Sequence, residues 1–121
     1  MRAEVRQPLP RVRADRSRIH QVLANLVDNA VKYSPAGGEV LVSAYATDGR
    51  LRVDVADNGP GIPLEEQGII FEKFGRSNSG QSKPGTGLGL FIARSIAEAH
   101  GGRLSVRSGQ QGTVFTLDLP V

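Results

Sequence analysis

Apolar residues recur every third or fourth position between Asp15 and Tyr33: Ile19, Val22, Leu23, Leu26, Val27, Ala30 and Val31. That period predicts an amphipathic helix packed on a core, with Asp15 as its N-cap. The Pro- and Gly-bearing "SPAGG", residues 34–38, ends it. The period then changes to two. Val40, Val42, Ala44 and Ala46 alternate with polar residues, then Leu51, Val53 and Val55 do the same. Between these runs stands "TDGR", a tight hairpin turn. Residues 64–74 read as a short helix carrying Ile69, Ile70, Phe71 and Phe74.

A second helix is expected from Leu88 to His100, with Leu88, Phe91, Ile92, Ile96 and Ala99 inward and Gly101 just past its end. Between the two lies "GRSNSGQSKPGTG", residues 75–87, whose composition predicts a mobile loop. "RLSVRS" and "TVFTLDLP" read as strands around "GQQG". "RVRAD" reads as a short strand ending at Asp15, and residues 1–10, with Pro8 and Pro10, as a tail or a truncated connection. The order β-α-β-β-α-α-β-β predicts an α/β two-layer sandwich. Its sheet is mixed but largely antiparallel, with helices on one face.

Composition narrows the function. The 121 residues suit one domain and contain no cysteine, which excludes disulfides and thiolate metal sites and fits a reducing cytoplasm. No apolar run approaches the ~18 residues of a membrane span, so no membrane contact is expected from this stretch, whatever anchors a longer parent. The net charge is +3, and six arginines crowd the first 18 residues. Nucleic acid is one reading of that excess. With no aromatic residue among those arginines, a small phosphorylated ligand or plain solubility is preferred.

Three stretches carry candidate chemistry. On the first helix Asn25, Asn29 and Lys32 fall within roughly 60° of one another at ~100° per residue, in a stripe that borders the apolar face. Neutral amide oxygens beside a lysine suit a hydrated Mg²⁺ and the phosphates it bridges; a solvated helix face accounts for the stripe as well. In "VDVADNGPGI" a strand ends at Asp57, followed by Gly59, Gly61 and Ile62. Glycines let backbone approach a flat ligand, and the carboxylate is able to accept from an exocyclic amine such as adenine N6. An Asx turn explains the same residues. "GTGLGL", residues 85–90, opens the second helix and offers free N–H groups to phosphate, without the lysine of a P-loop.

In this order and spacing, "NLVDNAVKYS", "DNGPGI", "FEKF" and "GTGLGL" resemble the catalytic ATP-binding domain of bacterial sensor histidine kinases, of the GHKL superfamily. The resemblance runs from about Arg11 to Val121. It implies the Bergerat fold, ATP and Mg²⁺ as cofactors, and transfer of the γ-phosphate to a histidine on a separate dimerisation domain in two-component signalling. It gives Asn29 to the metal and Asn25 to its support. Lys32, Lys73 and Arg76 go to phosphate, and Tyr33 and Phe74 sit beside the nucleotide. Asp57 would bind the adenine amine, with Gly59, Gly61 and Ile62 shaping that pocket and Thr113 near the base. Gly85, Thr86, Gly87, Leu88, Gly89 and Leu90 would form the hinge and phosphate cradle behind a lid at about 63–86.

The resemblance also implies partners. These are the dimerisation and phosphotransfer domain of the same protein and, indirectly, a response regulator; the isolated domain is expected to be monomeric. Ile69, Ile70, Phe71 and Phe74 are candidates for docking on the dimerisation helices. Gly68 and Gly75 depart from the family pattern around that segment. Neither His20 nor His100 has the context of a phosphoacceptor, and both are expected to be structural or solvated. ATP-hydrolysing relatives of the gyrase and heat-shock chaperone type carry Glu where Asn25 stands. An amide cannot act as general base for water, so slow hydrolysis is expected. A related serine kinase of the anti-sigma type, or a nucleotide-binding regulator without transfer activity, remains open.

Overall fold

A computed structural model describes residues 2–6, 14–33, 38–59, 61, 67, 69–71, 89–109 and 112–120. The elements are β1 (Arg2–Val5), α1 (Arg16–Tyr33), β2 (Val40–Thr47), β3 (Arg50–Asp57), a single 3₁₀ turn (Ile69–Phe71), α2 (Gly89–Ala99), β4 (Arg103–Gly109) and β5 (Gly112–Pro120). Among the described residues five strands make one sheet in the order β1-β2-β3-β5-β4. β1 runs parallel to β2, and every other pair is antiparallel. The expected two-layer sandwich is the one observed.

α1 begins as its sequence requires. Asp15 caps it, its Oδ1 accepting the Arg18 N–H at 3.2 Å. Val22, Leu26 and Ala30 form its dry stripe, at 0%, 0% and 1% exposure. They belong to one buried cluster with Val53, Val55, Phe115, Leu117 and Leu119 of the sheet and Ala93 and Ala97 of α2. The β2–β3 hairpin turns at Asp48 and Gly49, with φ of 51° and 72°. Positive φ at both central residues matches the right-handed strand twist, which is why "DG" stands there.

Four expectations need correction. Val31 does not hold α1 to the sheet; it is 57% exposed. At ~100° per residue it lies roughly 140° around the helix from Leu26, beyond the stripe's edge. On α2, Ala99 is exposed, while Ala93 and Ala97 are fully buried. Arg2–Val5, read as tail, form the edge strand β1, paired with Leu41–Ala44. Four residues beside two prolines carry too little pattern, and the partner strand supplies the ladder. Ala14 and Asp15 are not in a strand, so the expected strand does not reach Asp15. Residues 11–13, the segment 75–87 and Leu88 lie outside the described residues.

Candidate functional site

The end of β3 and the start of β5 make one corner. Asp57 closes β3 directly opposite Thr113 in the ladder. Its Oδ1 accepts the Gly59 N–H at 2.8 Å, so the chain turns back on the carboxylate as it leaves the strand. Burial raises the Asp57 pKa above the ordinary value; backbone N–H bonds from Gly59 and Thr113 pull the other way without cancelling it. Asn58 ties the corner to β2, its Oδ1 accepting the Glu39 N–H at 3.0 Å.

Glycine is obligatory at two points here. Gly61 has φ of 85°, and a Cβ on it would lie 2.3 Å from the Gly109 carbonyl oxygen. Gly112 has φ of 136°, and its Cβ would lie 2.0 Å from the Asp57 carbonyl oxygen. The β4–β5 hairpin and the turn after Asp57 therefore press backbone on backbone. Thr113 is 3% exposed, and its hydroxyl lies 2.8 Å from Ser108 Oγ.

A second group lies between the helices. Asn25 Nδ2 donates to the Gly89 carbonyl at 3.1 Å, which joins the polar stripe of α1 to the first residue of α2. A carboxylate at position 25 has no proton to give that carbonyl, so the amide suits this seam as a glutamate would not. Asn29, one turn on, is half-buried on the same stripe, and Leu90 is half-buried at the start of α2. The backbone of Lys32 and Tyr33 completes α1, and their side chains lie outside the described residues. So do Ile62, Lys73, Phe74, Arg76, Gly85, Thr86, Gly87 and Leu88.

The proposed docking patch is corrected in part. Ile70 and Phe71 are core, at 5% and 7% exposure. The Phe71 ring meets Phe115 edge-on at 6.1 Å, and the Arg94 guanidinium lies 5.5 Å from its centroid on the solvent side. Neither residue is available to a partner. His100 is structural, as expected: its Nδ1 donates to the Ile96 carbonyl at 2.8 Å and its Nε2 accepts the Asp15 N–H at 3.0 Å. A neutral ring protonated at Nδ1 satisfies both and ties the start of α1 to the end of α2.

Ser108 and Gly112 belong to the corner but were not foreseen from the sequence. The signal for Ser108 was there. It continues the alternation of Leu104 and Val106, so a hydroxyl stands in an apolar register.

Residues 14–121 match the family described as "Histidine kinase-, DNA gyrase B-, and HSP90-like ATPase". The chain is 45% identical over 120 residues to the adaptive-response sensory kinase SasA of Rippkaea orientalis, covering 98% of this chain and 31% of that protein. It therefore spans about a third of the length of that relative. Among solved structures, the mycobacterial sensor histidine kinase MprB superposes with a TM-score of 0.88 at 38% identity, over 98% of this chain and 82% of that one. The histidine kinase ThkA, solved in complex with the response regulator TrrA, gives 0.80 at 36% identity, over 98% of this chain and 33% of that one. The chain belongs to the histidine kinase-, DNA gyrase B- and HSP90-like ATPase family, as a catalytic domain of the sensor histidine kinase type.

Proposed function

We propose that residues 11–121 bind ATP·Mg²⁺ and present its γ-phosphate to a histidine on a dimerisation domain of the same protein, from which a response regulator takes it. The observation that carries this reading is Asp57. A half-buried carboxylate, proton-hungry through burial yet held in place by backbone N–H groups, stands at a corner where Gly61 and Gly112 let the neighbouring backbones close up around it. An adenine amine is a donor such an acceptor selects.

The donor set also fits the metal. Among the described residues no three His, Cys, Asp or Glu side chains gather to hold an ion. An ion here would be held chiefly by ATP's own phosphates with the Asn29 amide oxygen, which is how Mg²⁺ is ordinarily shared with nucleotides. The bound ion would neutralise phosphate charge. Asn25 would support the metal or its waters, and its amide nitrogen also fixes the first residue of α2. Lys32, Lys73 and Arg76 would meet the phosphates; Tyr33, Ile62, Phe74, Gly85, Thr86, Gly87, Leu88, Gly89 and Leu90 would line the nucleotide or its cradle. The first ten residues would lead toward the dimerisation domain, with Arg2–Val5 already part of the sheet.

Calorimetric titration with ATP·Mg²⁺ tests the reading. Asp57→Asn should weaken binding by about 1.5–3 kcal/mol, roughly 10–150-fold, the range for a hydrogen bond to a charged group. Unchanged affinity refutes the adenine role.

A further inference from the structure

Ser108 lies outside every role the resemblance assigns, yet it joins Thr113 and Gly112 and lies beside Gly61 in the adenine corner. Its Oγ is 2.8 Å from Thr113 Oγ1 and 3.4 Å from the Gly112 carbonyl oxygen. It also lies 3.1 Å from where a Cβ on Gly61 would stand. Thr113 is 3% exposed, so its hydroxyl needs an internal partner, and Ser108 supplies one. Either hydroxyl is able to donate across the 2.8 Å pair, and Ser108 also reaches the Gly112 carbonyl. A carbonyl only accepts, so a Ser108 proton turned to Gly112 leaves Thr113 donating to Ser108. The Thr113 oxygen then offers lone pairs alone to whatever lies beside it. It stands opposite Asp57, a second acceptor.

Two acceptors side by side select an amine and repel a carbonyl. Adenine carries an amine at C6; hypoxanthine carries a carbonyl there. We propose that Ser108 is a positioning residue which fixes the Thr113 hydroxyl as an acceptor beside Asp57, and so sharpens the choice of adenine over 6-oxopurines. This rests on the reading of Asp57 as the adenine acceptor.

The test measures dissociation constants of ATP and inosine triphosphate, each with Mg²⁺, for the wild-type chain and for Ser108→Val, Ser108→Ala, Ser108→Thr and Asp57→Asn. Ser108→Val, which exchanges only a hydroxyl for a methyl relative to Ser108→Thr, should weaken ATP about three- to tenfold, the range for one neutral hydrogen bond. It should leave inosine triphosphate nearly unchanged, so the preference between the two shrinks by the same factor. Ser108→Ala carries the same expectation should the valine chain not fold. Ser108→Thr should keep wild-type affinity and preference. An undiminished preference in the hydroxyl-free variants overturns the proposal, whether both affinities hold or both fall together. So does a threonine variant that behaves like valine. A loss of ATP affinity in Asp57→Asn with wild-type behaviour in Ser108→Val sinks this inference alone. No effect of Asp57→Asn sinks the adenine reading, and this inference with it.

Discussion

Leu117 and Asp118 are neighbours in β5, yet they stand on opposite faces of one sheet. Leu117 is fully buried in the core beneath the helices. Asp118 looks the other way, where its two oxygens take the Nε groups of Arg50 and Arg52, the latter at 2.9 Å. Asp54, also on the open face, is held the same way: Tyr45 donates to Oδ2 at 3.0 Å and Thr116 to Oδ1 at 2.7 Å. The Arg6 guanidinium lies 5.5 Å from the Tyr45 ring centroid, extending this polar layer toward β1.

Three residues along from Asp54, Asp57 faces the covered side, and its donors are backbone N–H groups rather than side chains. The contrast separates two uses of a carboxylate in one strand. On the open face, side-chain donors engage both oxygens of each acid, and the sheet's wet side is stapled. On the covered face one acid is pinned from the backbone in a partly dry corner. Burial there acts against its charge instead of a partner cation favouring it, so its capacity to accept is still in demand.

The largest test of this contrast is Leu117→Ala. It should cost about 2–5 kcal/mol of unfolding free energy, the range for emptying a packed site, measured by urea denaturation. A loss under ~1 kcal/mol would mean that the covered face is not the dry one.

Asp57→Asn comes next, now read for stability in the absence of nucleotide. The folded-state pKa of Asp57 is raised above its ordinary 3.8. Between those values the folded chain holds a proton that the unfolded chain has lost. This group's contribution therefore favours folding at low pH and declines as pH rises through the folded pKa. The neutral amide keeps an oxygen for the Gly59 N–H and has no charge to bury. At pH values above the folded pKa, Asp57→Asn should leave the ligand-free melting temperature equal or higher while ATP binding falls. Its advantage should shrink as pH drops through the window. A clear loss of stability above the folded pKa would show that the carboxylate is structural, like Asp54.

Smallest is Asp118→Asn. Its arginine partners are 36% and 40% exposed, so solvent screens the pairs and the loss should stay within about 1 kcal/mol, shrinking further at high salt. Nucleotide affinity should not change. A nucleotide effect would break the separation of the two faces.

Much of this was legible in the sequence. The period of three to four placed Val22, Leu26 and Ala30 against the sheet, the period of two placed Val53 and Val55, and "DG" fixed the hairpin. Asp57 was singled out because a strand stopped there and glycines followed. What escaped depended on partners far along the chain. β1 has no pattern of its own and exists by pairing with β2. Ile70 and Phe71 looked like an apolar docking patch, but both are buried, and Phe71 packs on Phe115 from another strand. Val31 and Ala99 sit at the edges of helical stripes, where hydropathy no longer says which way a residue faces. Ser108 was a polar residue in an apolar register. That anomaly is visible in sequence, but its meaning needs Thr113 and Gly61 in space.

The most direct measurement of the central claim uses [γ-³²P]ATP with Mg²⁺. The chain is incubated alone and with a separately expressed dimerisation hairpin from a sensor histidine kinase, and both free phosphate and protein-bound label are followed. Turnover of ATP by the chain alone should be slower than ~1 s⁻¹, the low end of ordinary enzymes, because Asn25 offers no base to water. Acid-labile label should appear on the hairpin's histidine only when the chain is present. Faster hydrolysis by the chain alone, with no label on the hairpin, would contradict the claim.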